Sequence, residues 1–381
     1  MNSQLDARHH EEGAVRVRLG EGFFRPASRP SRDLGVLLAA DLAARGPLRV
    51  LDAMAGCGIR ALRYGQEGGA TAVWANDADP DRLPLLQANL RGLPPSVTHR
   101  ITAVTAQHLF AGCLQRQERF ELVDLDAFGC PSALVPLALE AVALEGVLYL
   151  ASTDGRAPTG HDRPAAIRRL GAAARAHPAS WELALRLQLG GLARAAWAMG
   201  RGMVPLFSVS EGRTFRTAVR LTRSAPAADL THLGLIAHCH GCGDQQVQSL
   251  LQLGRWTLCD CAGAPAVSGP LWTGALQDPA AQARLQEPGH RLAGSLGRPS
   301  VRLLQRLAGD PGLPARCWPV SEIARRLGSG PPRLEALVAS LREQGFTAGA
   351  SGVMEAQVRS DAPWSRIVET ARQLGDAGAA K

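Results

Sequence analysis

The stretch Leu48-Arg-Val-Leu-Asp52-Ala-Met-Ala-Gly56-Cys-Gly58-Ile-Arg60-Ala-Leu-Arg-Tyr reads as strand, glycine turn and helix. With no side chain at Gly56 and Gly58 the backbone can approach a ligand, and the helix amino terminus behind them offers N–H groups that the helix itself does not use. The spacing is Gly-x-Gly without the third glycine of a dinucleotide fingerprint, and Asp52 precedes the turn instead of lying beyond it. That pattern favours S-adenosylmethionine over NAD. Downstream, Thr71-Ala-Val-Trp-Ala-Asn76-Asp77 is a second strand ending in an acid, about where carboxylates meet ribose hydroxyls in doubly wound folds. Strand and helix signals alternate from about Leu48 to Leu150, which predicts an α/β, Rossmann-like doubly wound sheet with helices on both faces.

Further along, Glu121-Leu-Val-Asp-Leu-Asp126-Ala-Phe128-Gly129 ends an apolar strand with an acid and then an aromatic. A carboxylate at a strand's carboxyl edge can accept a hydrogen bond from an exocyclic amine, and the following Phe can stack on the ring that carries it, as for a flipped base. A strand, an Asp and a turn with a buried Phe also occur in α/β proteins without any such role. The order of Gly-x-Gly, a strand-end acid about twenty residues on, and then Asp126-Ala-Phe128 favours a cofactor site.

The chain has 381 residues, 46% of them hydrophobic, enough for two or three domains with sizeable cores. Its formal charge of +8 is carried almost wholly by arginine, Lys381 being the only lysine. Arginine grips phosphate bidentately, so the charge fits a nucleic-acid partner; coding bias toward arginine would give the same composition. No apolar run is long enough to span a bilayer and eight cysteines are too sparse for a secreted disulfide framework, which predicts a cytoplasmic protein, with no obligate protein partner indicated.

Before the sheet, an amino-terminal arm sets Gly22-Phe23-Phe24-Arg25-Pro26 ahead of a helix beginning near Ser31, either covering the cofactor pocket or forming a solvated lead-in. Beyond Leu150, the helical stretch Trp181 to Arg194 spaces Arg186 and Arg194 eight apart, as phosphate contacts or, more commonly, the wet face of an amphipathic helix. Val204–Ser210 and Phe215–Leu221 read as strands that finish the sheet, and an Ala/Pro-rich linker follows from Ser224 to Asp229. These boundaries predict a domain over residues 1–225 and a smaller carboxyl-terminal α/β domain over 226–381. In the latter, Cys239-His-Gly-Cys242 and Cys259-Asp-Cys261 form a knuckle pattern over 239–261 that suits a structural zinc, with His238 or His240 as substitutes for an irregular second pair. Reduced cysteines that merely pack are the alternative. Two amphipathic helices within 318–346 resemble a helix-turn-helix or a small packing module.

Taken together, these residues resemble the tRNA (guanine-N2-)-dimethyltransferase family, class I methyltransferases that modify the exocyclic amine of a guanosine between the D and anticodon stems, at position 26 and in some cases 27. The similarity runs from about residue 15 to 370. It rests on Phe23-Phe24-Arg25-Pro26, Ser31-Arg32-Asp33, Leu51-Asp52-Ala, Gly58-Ile-Arg-Ala-Leu-Arg-Tyr, Asn76-Asp77, Asp124-Leu-Asp126-Ala-Phe128-Gly129 and Thr153-Asp154. Gly269-Pro-Leu-Trp-Thr-Gly274, the most specific element, and Arg359-Ser-Asp361-Ala-Pro complete it. The resemblance implies that Arg32 pairs with the cofactor's carboxylate, that Asp52, Gly56 and Gly58 line its loop, and that Asp77 holds its ribose. It implies that Asp126 meets the guanine amine and takes its proton afterwards, with Phe128 and Phe23 sandwiching the base. The carboxyl-terminal domain, with its zinc, would bind tRNA.

The chain departs from the family pattern at three places. Ala127 stands where proline is usual, which frees the base-pocket backbone. Val104-Thr105-Ala106-Gln107 lacks the acid that contacts the adenine amine, leaving that task to backbone atoms around Ala106. Ala348-Gly-Ala-Ser-Gly replaces a usual Ser-Arg-Thr-His. Two other readings stay open: a same-fold methyltransferase acting on another RNA or DNA base amine, whose usual mark is Asn/Asp-Pro-Pro-Tyr/Phe, and a non-catalytic RNA-binding protein, which would bind cofactor without turnover.

Overall fold

The computed structural model describes residues 9–212, 214–257, 261 and 263–379. Among them the chain forms two compact units, each assembled from separated stretches. The first gathers residues up to Thr153 with Arg216–Arg223 and Ala280–Gln305, and the second takes the rest, where the sequence had indicated one break near residue 225.

The first unit opens with a hairpin of β1 (His9–Glu12) and β2 (Val15–Arg18). Val15 and Val17 point inward and Arg16 and Arg18 outward, the period-two pattern of a half-buried strand. The sequence reading missed this hairpin because its inward set is only two valines and a carboxylate, Glu12. Helix α1 (Arg29–Ala43) follows, beginning close to the expected Ser31.

The alternation then runs as expected through β3 (Arg49–Asp52), α2 (Ile59–Gln66), β4 (Ala72–Asp77), α3 (Leu83–Leu90), β5 (Thr98–Ala103), α4 (Ala106–Arg116), β6 (Phe120–Asp126), α5 (Val135–Ala141) and β7 (Val142–Ser152). These strands pair in parallel in the order β5-β4-β3-β6-β7. The chain steps outward one way from β3 and then returns to its other side as β6. A crevice therefore opens at the carboxyl ends of β3 and β6, the switch point where doubly wound sheets bind ligands. Asp52 ends β3 and Asp126 ends β6, so topology alone brings the two sequence-selected acids to one place.

After α6 (Arg163–Leu170), α7 (Ser180–Ala198) and β8 (Gly202–Glu211), strand β9 (Thr214–Thr222) lies beside β7. In the second unit β10 (Leu233–His238), β11 (Gln245–Ser249) and β12 (Ala266–Trp272) form an antiparallel sheet in the order β11-β10-β12. Helices α8 (Pro279–Arg291) and α9 (Arg298–Ala308) precede a last module of β13 (Cys317–Pro319), α10 (Val320–Leu327), α11 (Leu334–Glu343), β14 (Ala348–Ala350), β15 (Gln357–Ser360) and α12 (Trp364–Ala379). The helix pair read from the sequence is α10 and α11. It packs with α12 around Trp318, Ile323, Leu337, Leu341, Val358 and Ile367. No helix among the described residues is long and apolar enough to cross a membrane.

Arg186 is neither a phosphate contact nor part of a wet face. It is buried in the second unit, where it donates to Glu182 at 2.9 Å and to the carbonyls of Trp272, Gly274 and Gly312. Arg359 donates to both oxygens of Glu182, at 2.8 and 2.6 Å, and to Asp310 at 3.0 Å. Two of the family-like signatures, Gly269 to Gly274 and the Arg359 segment, are thus held by one buried ion network. Arg194 caps α6, donating to the Leu170 carbonyl at 2.6 Å. Periodicity placed both arginines on a helix face but could not tell that a second layer covers Arg186.

Candidate active site

The turn after β3 carries Gly56 and Gly58 at φ of 57° and 79°, left-handed values that favour glycine. A Cβ on Gly58 would come within 2.9 Å of Leu86, whereas one on Gly56 would meet nothing within 4 Å. The turn therefore packs on α3 from one side and leaves an open cradle on the other. The Gly56 amide donates to Asp77 at 2.9 Å and the Asp79 amide donates to the same carboxylate at 3.0 Å, so the strand-end acid of β4 braces the loop. Behind it Asn76 is fully buried and bonds the Ala53 and Val104 carbonyls, tying the ends of β3, β4 and β5 together. Ala106 is buried at the start of α4, whose N-cap is Thr105.

Asp52 is fully buried, and neither of its carboxylate oxygens has a well-formed hydrogen bond. Burial, followed by the neighbouring Asp124, pushes its carboxyl well above the ordinary range, and Arg60 only partly offsets this. An unsatisfied buried acid beside an open glycine cradle fits a ligand that brings a cation or N–H donors to the β3 end, as the amino group of S-adenosylmethionine would. The crevice thus fits the cofactor that the glycine spacing favoured.

Arg32 is held in this structure by the protein's own carboxylate. Its guanidinium grips Glu12 bidentately at 2.7 and 2.6 Å and donates to the Arg25 and Pro26 carbonyls at 3.2 Å. Arg63 joins the same cluster, bonding Glu12 at 2.8 Å and Asp33 at 2.6 Å with no exposure of its own. Hairpin, α1 and α2 are locked together by these charges, and the arm is tied to them through its Arg25 and Pro26 carbonyls while Phe23 stays exposed.

At the end of β6, Asp126 keeps about a third of its side chain exposed and is gripped from two sides. Arg60 of α2 reaches it at 3.0 Å and Arg216 of β9 at 2.6 Å, and both arginines are buried. Burial alone would raise the Asp126 carboxyl, but Arg216 and Arg60 outweigh it and hold the group below the usual carboxylate range. Arg216 also reaches Asp124 at 3.3 Å and lies over the Tyr149 ring, while Tyr64 donates to Asp124 at 2.5 Å. Sequence reasoning passed over Arg60, Arg216 and Tyr64. The Arg60–Tyr64 spacing, one helical turn, was a signal for two of them; Arg216, ninety residues beyond Asp126, offered none.

Next to Asp126, Phe128 and Phe23 are 74% and 75% exposed, although the ordinary fate of Phe is burial. Their rings meet edge to face with centroids 5.5 Å apart. The resemblance implied a base held between these two rings; in the structure they meet each other as a corner, leaving a ring face open to solvent. Where proline is usual, the turn around Ala127 is fixed by other means: the Gly129 amide donates to the Thr153 hydroxyl at 2.6 Å, and the Thr153 amide donates back to the Gly129 carbonyl at 3.0 Å. Ser152 donates to that carbonyl as well.

In the second unit the sulfurs of Cys239, Cys242 and Cys261 lie within 4.8 Å of one another. Cys259 lies outside the described residues. His238 packs its ring against His177 and His240, and the three-ligand group contains cysteines alone. Thiolates at about 2.3 Å from a tetrahedral zinc are spaced about 3.8 Å apart, so these three sulfurs suit one ion.

Residues 6–372 match the family described as N2,N2-dimethylguanosine tRNA methyltransferase. The chain is 30% identical to a tRNA (guanine(26)-N(2))-dimethyltransferase of Methanosphaerula palustris over 91% of this chain and 90% of that one. It is also 30% identical to the same enzyme of Aeropyrum pernix, over 94% and 91%. Among solved structures it superposes on Trm1 from Pyrococcus horikoshii in complex with S-adenosyl-L-methionine, with a TM-score of 0.83 and 26% identity over 95% of this chain and 99% of that one.

Proposed function

The chain belongs to the N2,N2-dimethylguanosine tRNA methyltransferase family, and from that premise we infer how its residues methylate N2 of guanosine 26 in tRNA. The enzyme is an S-adenosylmethionine-dependent tRNA (guanine(26)-N2)-dimethyltransferase. The observation that carries the assignment of roles is the juxtaposition of one third-exposed carboxylate, Asp126, with two exposed aromatic rings, Phe23 and Phe128, at the sheet's switch point.

The glycine cradle at Gly56 and Gly58, with Asp52, Asp77 and the backbone at Ala106, would hold S-adenosylmethionine, and Arg32 would face its carboxylate end from within the Glu12 clamp. When bound, the cofactor supplies an electrophilic methyl on sulfur. The protein's part is to place the amine. A guanine stacked on the open aromatic face presents its N2 edge to Asp126, which accepts one N–H and so turns the nitrogen lone pair away from the ring system. That orientation converts a poor nucleophile into an aligned one. Repetition after product exchange yields the dimethyl form.

Unmodified tRNA transcripts incubated with the enzyme and labelled cofactor should give N2,N2-dimethylguanosine at position 26, and a transcript with adenosine there should take up no label at that site. Label confined to other nucleotides would overturn the assignment. The carboxyl-terminal residues 226–381 supply the surface for the tRNA body on this reading, and the enzyme works in the cytoplasm. A structural zinc on Cys239, Cys242 and Cys261 stabilises that part: metal analysis should find about one zinc per chain, and Cys239→Ser should lower the melting temperature by about 5 °C. A metal-free protein with an unchanged melting curve in the variant would remove the zinc.

A further inference from the structure

The roles given to Asp126 rest on a side chain that two cations hold, and the chemistry of the amine does not account for them. An acid meant to collect a proton is ordinarily kept in an apolar or acid-rich setting that raises its affinity for it. Asp126 has the opposite setting. Arg216 reaches one oxygen at 2.6 Å, and Arg60 approaches the other at 3.0 and 3.2 Å. Both guanidiniums are buried, anchored in addition by Asp124 and, for Arg60, by Ser31, so neither can swing away without leaving a charge in the core. Resting on the placement of Asp126 at the guanine amine, we infer that Arg216 and Arg60 are positioning residues that lock the Asp126 carboxylate in one orientation as a permanent hydrogen-bond acceptor, and that the proton released by methylation passes to water.

The step balances without a protein base. The N2 lone pair forms the new N–C bond as the methyl–sulfur bond breaks, and sulfur keeps that electron pair as a neutral thioether. The nitrogen then carries the positive charge and loses one proton to solvent, which reaches the third-exposed Asp126 side chain. Deprotonation follows a strongly acidic ammonium and needs no help from a carboxylate.

The groups facing Asp126 are Arg216 from β9, Arg60 from α2, Asp52 from β3 and, at longer range, Arg32 from α1, while Asp124 from β6, Tyr149 from β7 and Tyr64 from α2 lie against the two arginines. Removing Arg216 takes away the shortest of its contacts. In Arg216→Gln, kcat should fall at least tenfold with the KM for tRNA little changed, and the acid limb of the kcat profile should move to higher pH. Arg216→Lys, which keeps the charge in place, should recover much of both. A readout free of turnover is the titration of Asp126 in carboxyl-13C-aspartate-labelled protein without cofactor or tRNA, its signal assigned by its loss in Asp126→Asn. That signal should titrate at higher pH in Arg216→Gln than in the wild type.

Full activity with an unshifted acid limb in a folded Arg216→Gln would overturn the inference, as would an unmoved Asp126 titration. Should Arg216→Gln fail to fold, Arg60→Gln decides in its place: it removes the other guanidinium on Asp126, and an unmoved acid limb with an unmoved Asp126 titration overturns the inference. Turnover that survives Asp126→Ala would instead remove the underlying placement of Asp126, a failure distinguishable because it needs no arginine variant.

Discussion

Asp126→Ala is expected to lower kcat for guanosine methylation by roughly 10³-fold, while cofactor affinity changes little. Of the acids at the ends of β3 and β6, Asp126 keeps a third of its side chain exposed while Asp52 and Asp124 are fully buried. On the proposed placement its removal costs the acceptor that orients the amine, and it leaves Arg216 and Arg60 with Asp124 as their remaining acid. Asp126→Asn separates the two effects: it keeps the shape and one acceptor oxygen but offers the arginines no charge. Initial rates on unmodified tRNA, with cofactor binding measured by calorimetry, distinguish a lost chemical step from a collapsed pocket. Either variant retaining more than a tenth of wild-type kcat would show that the amine is oriented elsewhere.

The largest effect on stability is expected at Glu182. Glu182→Gln should reduce unfolding free energy by about 3–5 kcal/mol, read from the urea midpoint, because it leaves Arg359 and Arg186 buried with one carboxylate, Asp310, where there were two. Burial alone would raise the Glu182 carboxyl, but Arg359 and Arg186 outweigh it and hold it at about 2. The sign of the pH dependence follows. A carboxyl ionised more readily in the folded than in the unfolded state contributes stability that is fully present above its unfolded value of 4.5 and is lost as pH falls toward about 2. Wild type should therefore weaken between those limits, and Glu182→Gln should weaken less over the same window. Equal slopes for the two proteins would show that the network does not titrate with folding.

The parts of this architecture legible in the sequence are those that depend on neighbours along the chain. Gly56 and Gly58 revealed the loop, Asp77 and Asp126 revealed strand ends, and a Phe two residues after Asp126 marked the turn that the structure shows as exposed. What stayed hidden depends on partners brought by topology. Glu12 looks like an ordinary surface acid until a hairpin carries it against Arg32 and Arg63. Arg216 sits in a strand whose flanks read as core, and only the place of β9 beside β7 aims it at Asp126. Arg186 fitted an amphipathic face by spacing, yet Trp272, Gly274 and Gly312 enclose it.

The reciprocal pair of bonds between Gly129 and Thr153 makes the opening of the turn around Ala127 a cooperative event. Both amides sit at a loop beside an exposed ring, where backbone hydrogens ordinarily trade with deuterated solvent within seconds. Each is occupied by the other residue's oxygen, so exchange at either requires both strand ends to part together. These two amides should therefore exchange together and more slowly than their loop neighbours, and their protection measures the free energy of opening the turn.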